Sequence, residues 1–414
     1  MVLLLGITDM NKLKQFDVII VGAGIVGGAL ACALGDSDLK VAIIEAQPCK
    51  TDWPEQSDTI TGFDMRVSAL TAASTNFLAD MGVWQAIQQR RISPYQQMHV
   101  WDAEGTGNIH FNADEINQPV LGHIVENRLV AYALLQQVRQ HNAIELIAPA
   151  KLDTIEQLDD QKYQLSLDDG QQLSADLLVA ADGANSKVRS LAEIKVREWD
   201  YDQHAIVATV KTERAHQQTA WQRFLPEGPL AFLPLATADK QQQFCSIVWS
   251  AIPSYAENIM AMDDAEFSTA LTHAFESTLG EVIDVSRRFS FPLRQRHAVD
   301  YVKTGIALVG DAAHSIHPLA GQGVNLGLMD ALALSEELLR AKQRGLNLGS
   351  LPVLERYQRR RKAANLSMMA GMEGFKRLFE QPALPIRWLR NIGMNWLDKA
   401  RPLKNRVMRQ AMGL

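Results

Sequence analysis

The chain has 414 residues, 47% of them hydrophobic and 21% charged, and its formal net charge is −6. This composition is typical of a globular protein of about two domains and excludes a mainly disordered chain. The charge is unevenly spread, because residues 356–414 contain 14 Lys or Arg and only 3 Asp or Glu. A basic tail on an acidic body indicates an anionic partner or a contact with the chain's own acidic surface.

The cysteines and the longest uncharged segment argue against a disulfide-stabilised protein, a metal protein and a membrane-spanning protein. Cys32, Cys49 and Cys245 are widely spaced and form no CxxC pair. We therefore expect neither a disulfide framework nor a metal site, and we predict a cytoplasmic protein. Residues 18–35 carry no charge but include five glycines, which favours a strand, a turn and a helix over a membrane span.

The first predicted elements form a β-α-β unit. Phe16–Val21 predicts a buried strand, Val26–Leu34 a helix and Lys40–Glu45 a second strand. The intervening turn fits GxGxxG, in which glycines permit a tight turn, close approach of a pyrophosphate and close helix packing. An acid that ends the second strand suits a ribose diol. The sequence thus predicts a dinucleotide site, for FAD or NAD, at Gly22, Gly24, Gly27 and Glu45.

The rest of the chain predicts a discontinuous cofactor domain. Helical periodicity is present over 68–87 and 127–140, and short alternating segments between 204 and 249 indicate an antiparallel sheet. A buried strand over 305–310 and a helix over 324–343 then return to the first domain. The predicted fold class is α/β, with a Rossmann-like domain at 16–195 and 286–350, an inserted, mostly antiparallel substrate domain at 196–285, and a basic C-terminal helical region at 351–414.

Two more motifs end predicted strands on an acid beside a glycine. The first is Asp182-Gly183, and the second is Gly310-Asp311, whose acid is placed to accept a hydrogen bond from a ribityl hydroxyl. The glycine-rich turn and helix that follow offer N–H groups to a phosphate or to a flavin edge. The candidate cofactor residues of this turn are Gly321, Gly323, Val324 and Asn325.

The three motifs, GxGxxG, DGxxSxxR and GDAAH…P…GQGxN, resemble those of flavoprotein aromatic hydroxylases of the para-hydroxybenzoate hydroxylase type. Further segments extend the resemblance, from residue 17 to the C-terminus, to the hydroxylases of ubiquinone biosynthesis; they include RVSAL from Arg66 and GHIVEN ending at Asn127. The resemblance implies FAD as cofactor and a flavin contact for Arg66. Asn127 stands where related hydroxylases often have an Arg near the cofactor, which leaves its role open.

The resemblance also implies the reaction. NADH or NADPH would reduce FAD, O₂ would add at flavin C4a to give a hydroperoxide, and the ring of a polyprenylated phenol would attack its distal oxygen. C5 hydroxylation of 2-polyprenylphenol is favoured; hydroxylation of demethoxyubiquinol or of 2-polyprenyl-6-methoxyphenol is the alternative. A flavin oxidase, dehydrogenase or halogenase, and a non-catalytic flavin-bound scaffold of the same pathway, are the rival classes.

Catalytic candidates follow the third motif. Pro318 would fix the backbone on the substrate side of the flavin, and His314 and His317 would shuttle protons. A merely structural, hydrogen-bonded histidine is the alternative for each. Trp249 and Phe232 are candidates for the ring pocket, with core packing as the alternative.

The basic tail over Ile386–Leu414 interleaves Lys and Arg with apolar residues. This pattern predicts a peripheral contact with the inner face of the plasma membrane, which would suit a polyprenylated substrate, or a helix packed on the acidic body. No nucleic-acid-binding fold accompanies the charge, so nucleic acid is not an expected partner. A ubiquinone-biosynthesis protein assembly and a homo-oligomer are left open.

Overall fold

The computed structural model of the chain describes residues 13–158, 162–237, 239, 241–315, 321–381 and 383–414. The strands, in chain order, are β1 (Lys14–Val21), β2 (Val41–Ile44), β3 (Val67–Leu70), β4 (Ser93–Tyr95), β5 (Gln97–Asp102), β6 (Asn108–Asn112), β7 (Gly122–Glu126), β8 (Ile144–Ile147), β9 (Leu152–Gln157), β10 (Tyr163–Leu167), β11 (Gln172–Ala180), β12 (Val196–Thr212), β13 (Thr219–Leu225), β14 (Gly228–Leu235), β15 (Phe244–Ala251), β16 (Val282–Val285), β17 (Phe289–Ala298), β18 (Val302–Lys303), β19 (Ile306–Leu308) and β20 (His314–Ser315).

The helices account for most of the remaining described residues. They are α1 (Ile25–Gly35), α2 (Ala72–Asp80), α3 (Val83–Gln88), α4 (Asn127–Val138), α5 (Lys187–Leu191), α6 (Pro253–Ala261), α7 (Asp264–Ala274), α8 (Gly323–Gln343), α9 (Leu351–Glu380), α10 (Leu384–Lys399) and α11 (Arg401–Met412), with 3₁₀ turns at Ala113–Ile116 and Gly310–Ala312.

A mainly parallel sheet forms the centre of the cofactor domain, in the order β18-β19-β11-β1-β2-β8. β1 pairs in parallel with both β2 and β11, and β11 pairs in parallel with β19. β2 and β19 are buried along their whole length, as are the last four residues of β1 and of β11, because α1 and other helices cover them, as is usual for parallel sheets. The predicted β-α-β unit is present as β1, α1 and β2. The carboxyl ends of β1, β11 and β19 therefore lie side by side, and each leads into one of the three predicted motifs.

A second, larger sheet has the order β20-β17-β12-β15-β14-β13-β5-β6, with β16 beside β12. All its pairs are antiparallel except that of β13 with β5. Because β5, β6 and β17 belong to it, the sheet extends beyond the predicted 196–285 interval on both sides. α6 and α7 cover one face, where Trp249 and Phe232 are completely buried. These two aromatic residues belong to the core, which was the alternative given for them.

The predicted helical segment over 68–87 is wrong at its beginning. Residues 67–70 form β3, which pairs with β7 in a small sheet that also contains β4. Thr71 then begins α2 by accepting a hydrogen bond from the backbone N–H of Ser74. Gly82, at φ +71°, separates α2 from α3. The apolar residues of β3 happen to fit the helical period that continues in α2. They form a strand because they pair with β7, which lies far along the chain.

The basic C-terminal region is helical, as predicted, but the amphipathic segment over Ile386–Leu414 is two helices, α10 and α11, that meet at Ala400. α9 packs on α8, and α10 packs on β6 of the second sheet. Among the described residues, none of the helices combines the length and the apolar character that crossing a bilayer requires.

Candidate active site

The glycine-rich loop between β1 and α1 has the backbone geometry that its sequence predicts. Gly22 has φ +103°, and a Cβ at this position or at Gly27 would collide with backbone carbonyl oxygens. At Gly24, by contrast, a Cβ would meet no atom within 4 Å. Two glycines are therefore required by the fold, whereas the third leaves open space beside the chain, where a ligand can approach.

Glu45 lies at the end of β2 beside this loop. Its Oε2 accepts a hydrogen bond from the backbone N–H of Ala23 at 2.9 Å, and its Oε1 accepts one from that of Gln47 at 2.9 Å. The carboxylate is partly exposed and retains acceptor capacity, as a contact with a ribose diol requires. No side chain among the described residues caps the N-terminus of α1, so its first N–H groups are free for an anion.

The second motif lies against the same loop. The Oδ2 of Asp182 accepts hydrogen bonds from the backbone N–H groups of Lys187, at 2.8 Å, and Val188, at 3.2 Å, at the start of α5. Its Oδ1 is buried, with no hydrogen-bond partner in the described structure. Gly183 has φ +81° with open space at its Cβ position. An orphaned buried acceptor beside open space indicates that a ligand completes this site.

Arg189, the last residue of the second motif, connects it to the third. Its Nη1 donates to the carbonyl of Ala312 at 2.9 Å, and its Nη2 donates to that of Ala184 at 2.8 Å. Sequence reasoning placed Arg189 in the motif but gave it no role. Because the side chain is buried and contacts both motifs, it holds them together.

The third motif begins after β19. Gly310 has φ +58°, and a Cβ there would lie 3.0 Å from Cγ2 of Val26 on α1, so the first and third motifs are in close contact. Asp311 opens to the cleft between them. Desolvation by the surrounding protein raises the pKa of this carboxyl above its usual value. The charges of His314 and Arg66 offset only part of that rise. Arg66 is exposed in the same cleft, with its guanidinium carbon 5.6 Å from the ring centre of Phe291.

His314 is 1% exposed, and its Nε2 donates to the Oδ2 of Asp330 at 2.5 Å. This buried pairing favours a structural role over contact with a substrate, and proton shuttling by His314 stays a prediction. His317 and Pro318, the other catalytic candidates, lie outside the described residues. Within the described ranges, no group of three or more His, Cys, Asp or Glu is placed to hold a metal ion.

The predicted cofactor residues Asn325 and Asn127 both use their side chains in hydrogen bonds within the protein. The Oδ1 of Asn325 accepts from the Oγ of Ser74 at 2.7 Å, and its Nδ2 donates to the carbonyl of Ala69 at 2.8 Å. The side chain of Asn325 thus secures the start of α8, which leaves only its backbone for a cofactor. Asn127, likewise, accepts from the Oγ of Ser68 at 2.7 Å.

The glycines at the start of α8 leave room beside them. Gly321 has φ +63°, and a Cβ at Gly323 would meet nothing within 4 Å. The N-terminus of α8, which includes Val324, has no side-chain cap among the described residues. Together with the open loop at Gly24 and the unpaired Oδ1 of Asp182, this second free helix N-terminus fits an extended FAD.

A mostly apolar cavity of about 110 Å³ lies between the second sheet and this end of the cleft, where Gly321 forms part of its wall. On β14 and β15, the residues that line it alternate with the buried core residues, since neighbouring side chains point to opposite faces of a sheet. Three lining residues carry hydroxyl or amide groups, and sequence reasoning missed them: Tyr95, Gln222 and Ser250. The alternation around Trp249 and Phe232 was the signal that could have identified this face, although Tyr95 comes from a distant strand.

Comparisons with known proteins agree with this geometry. Residues 15–370 match the FAD binding domain family. The chain is 40% identical to the 3-demethoxyubiquinol 3-hydroxylase of Escherichia coli K12, over 96% of this chain and 98% of that one. It is 37% identical to the ubiquinone hydroxylase UbiL of Rhodospirillum rubrum, over 97% and 90%, and 36% identical to the mitochondrial ubiquinone biosynthesis monooxygenase COQ6 of Xenopus tropicalis, over 95% and 92%.

Solved structures show the same fold at lower identity. PqsL of Pseudomonas aeruginosa, in complex with 2-aminobenzoylacetate, superposes with a TM-score of 0.76 at 21% identity, covering 92% of this chain and 99% of that one. The p-nitrophenol 4-monooxygenase PnpA of Pseudomonas putida gives 0.75 at 17%, covering 97% and 99%. The predicted fold class, the FAD cofactor and the monooxygenase class are confirmed. The chain belongs to the FAD-dependent monooxygenases of the FAD binding domain family, among the hydroxylases of ubiquinone biosynthesis.

Proposed function

We propose that this enzyme hydroxylates the aromatic ring of a polyprenylated phenol or quinol, with O₂ as the oxygen source and NADH or NADPH as the electron donor. The observation that carries the proposal is the apolar cavity whose wall includes Gly321, because this cavity meets the cofactor cleft at the glycine-rich turn. An electron-rich ring held there would lie next to the bound cofactor.

FAD, when bound, supplies the activation of O₂. The protein's part is to orient the ring and to exclude water. The apolar lining, which includes Ala69, Ile124 and Leu233, keeps water from the ring and matches its faces. Burial raises the pKa of Tyr95 to about 12, so its phenol stays protonated and is able to donate a hydrogen bond to a substrate oxygen.

Three substrate rings compete: 2-polyprenylphenol, demethoxyubiquinol and 2-polyprenyl-6-methoxyphenol. The sequence resemblance favours C5 hydroxylation of 2-polyprenylphenol, whereas a relative at 40% identity is named a 3-demethoxyubiquinol 3-hydroxylase and favours the demethoxyubiquinol ring. Deleting the gene and identifying the accumulated quinone precursor by mass spectrometry separates them. Accumulated 2-polyprenylphenol supports the first of these rings and accumulated demethoxyubiquinone the second. Accumulated 2-polyprenyl-6-methoxyphenol supports the third, whereas an unchanged quinone pool would contradict all three.

We also propose that the second partner of the enzyme is a membrane surface. On α10, large apolar side chains recur on the exposed side, with Trp388 66% and Trp396 61% exposed. The opposite side is anchored to the body, since Arg390 forms a buried ion pair with Asp102 at 2.6 Å. The basic tail therefore packs partly on acidic residues of the body and leaves an aromatic face outward, flanked by the exposed Lys399. Aromatic side chains beside positive charge suit an anionic lipid interface.

Vesicle binding tests this contact. We expect the full-length enzyme to cosediment with vesicles containing anionic lipid and to bind them less when Trp388 and Trp396 are both replaced by Ser. Replacing the buried Met394 by Leu is the control that leaves the exposed face unchanged. Equal binding of all three proteins would contradict the membrane contact. Assembly with pathway proteins and homo-oligomer formation stay predictions.

A further inference from the structure

A fully buried carboxylate, Asp330 on α8, lies beside the third cofactor motif. Its Oδ2 accepts a hydrogen bond from the backbone N–H of Gly310 at 3.1 Å and another from Nε2 of His314 at 2.5 Å. One carboxylate oxygen thus holds both ends of the segment 310–314. Asp311, the expected partner of the ribityl chain, lies between these two attachment points. The position of Asp311 in the cleft therefore depends on Asp330.

The other oxygen of Asp330 faces the C-terminal region. Its Oδ1 accepts from Nε of Arg361 at 2.8 Å and from Nδ2 of Asn365 at 3.2 Å, and both residues belong to α9. Arg361 also donates to Oδ1 of Asn365 at 2.9 Å. Burial alone would raise the pKa of Asp330, but the charges and hydrogen bonds of His314 and Arg361 outweigh it and lower the pKa. The carboxylate is thus ionised and saturated with hydrogen bonds.

The same cluster extends to the strand that leads into the motif. Nδ2 of Asn365 lies 3.3 Å from the hydroxyl of Tyr301, which is itself 3.1 Å from Nε2 of His297. The hydroxyl of Tyr357, on α9, donates to the carbonyl of Leu308 at the end of β19 at 2.7 Å. α9 therefore contacts the strand of the third motif directly, and it reaches the loop of that motif through Asp330. The first helix of the basic C-terminal region is part of the support of the cofactor site.

We propose that Asp330 is a positioning residue for FAD, which fixes the segment 310–314 so that Asp311 faces the ribityl chain, and that Arg361 of α9 is the charge partner that keeps it there. The support is formed within the protein itself, so it precedes cofactor binding. The proposal concerns the affinity and environment of the flavin and is independent of which ring the enzyme hydroxylates.

A second buried carboxylate provides a matched control. Asp102 on β5 is also buried and pairs with a buried arginine, Arg390 of α10, at 2.6 Å. It too attaches a C-terminal helix to the body, but through the second sheet and not through a cofactor motif. Neutralising either carboxylate removes the main ion-pair partner of an arginine that is largely shielded from water, which destabilises the fold. Only the neutralisation of Asp330 should also disturb the flavin.

The experiment compares the full-length variants Asp330→Asn, Asp330→Asn/Arg361→Gln and Asp102→Asn with the wild-type enzyme. Thermal unfolding is measured on the apoproteins, FAD affinity by quenching of flavin fluorescence, and the flavin environment by visible circular dichroism. We expect Asp330→Asn to weaken FAD binding by about tenfold or more, as loss of a charged hydrogen-bonded anchor does, and to change the visible spectrum. Asp102→Asn should lower the melting temperature but leave FAD affinity and spectrum unchanged.

The double variant separates positioning from stability. Removing the unpaired guanidinium should restore much of the lost melting temperature, whereas the weakened FAD binding should remain, because the segment 310–314 is still untied. Restoration of both properties, or wild-type FAD affinity in Asp330→Asn, would overturn the proposal. If the single variant does not fold, the double variant gives the answer on its own. In the wild-type apoprotein, the amides of residues 310–314 should be protected from hydrogen exchange; rapid exchange there would also overturn it.

Discussion

The cofactor cleft and the apolar cavity meet at Gly321, but they are constructed in different ways. The cleft is shaped by backbone, through glycines at positive φ, free helix N-termini and carboxylates at strand ends. The cavity is shaped by side chains from strands that are far apart in the chain, such as Tyr95 and Ser250. The cleft should therefore be sensitive to the smallest change of backbone, whereas the cavity should tolerate polar changes and respond to volume.

The largest expected effect is in the cleft. Gly24→Ala adds one methyl group to open space, so the apoprotein should melt at the wild-type temperature, while the methyl blocks the approach of the pyrophosphate. We expect FAD affinity to fall by about 100-fold, equivalent to roughly 2.7 kcal/mol, as measured by flavin fluorescence.

Gly371→Ala is the control for this substitution. Gly371 lies in the middle of α9, and its Cβ position is also open, so alanine should leave FAD binding unchanged and stabilise the helix slightly. If Gly24→Ala bound FAD as tightly as this control, the loop would not be the phosphate site.

Filling the cavity should have the opposite effect, because it should impair the response to substrate and leave FAD binding unchanged. Ala231→Phe places a ring in a space of about 110 Å³ and should leave the bound flavin and its spectrum intact. Substrate-stimulated oxidation of NADH or NADPH should fall by about tenfold or more, because the ring of the substrate loses its place. Ala265→Phe, on the exposed surface of α7, is the control. Loss of FAD from Ala231→Phe would show that cleft and cavity are not separable.

The smallest expected effect is a loss of stability in acid, through a buried histidine next to the second sheet. His216 is buried in the loop between β12 and β13; its Nδ1 accepts from the N–H of Gln218 at 3.1 Å, and its Nε2 faces the carbonyl of Leu235 at 3.2 Å. Burial, only partly offset by that carbonyl, lowers its pKa to about 4. The unfolded chain takes up a proton near its ordinary pKa, and the folded chain does not. Stability should therefore fall as the pH decreases from 6.5 towards 4.

Melting curves of the apoprotein between these pH values test the sign of this effect. The contribution of His216 is at most about 1.4 kcal/mol for each pH unit, and it should disappear in His216→Asn, whose melting temperature should be lower but less dependent on pH. His123 and His297, whose pKa values are also lowered to about 4, chiefly by burial, should leave part of the slope. An identical slope in the wild-type enzyme and the variant would contradict the assignment.

The difference between the cleft and the cavity also explains which residues could be predicted from the sequence. Gly22, Gly24, Gly27 and Glu45 could be recognised because a phosphate loop needs particular residues at fixed local spacing, and the parallel sheet followed from the buried strands beside them. The pairing of β5 with β13 could not be predicted, because its partners are more than a hundred residues apart and parallel. For the same reason the cavity residues were missed.

The proposed reaction transfers oxygen from O₂ to a prenylated ring. The most direct test supplies the purified enzyme with FAD, NADH or NADPH, isotopically labelled O₂ and either 2-polyprenylphenol or the demethoxyubiquinol, and analyses the product by mass spectrometry. For this reaction we expect the ring to stimulate consumption of the electron donor and the product to gain one labelled oxygen atom. Bound flavin with unstimulated donor oxidation, or a product without label, would contradict it.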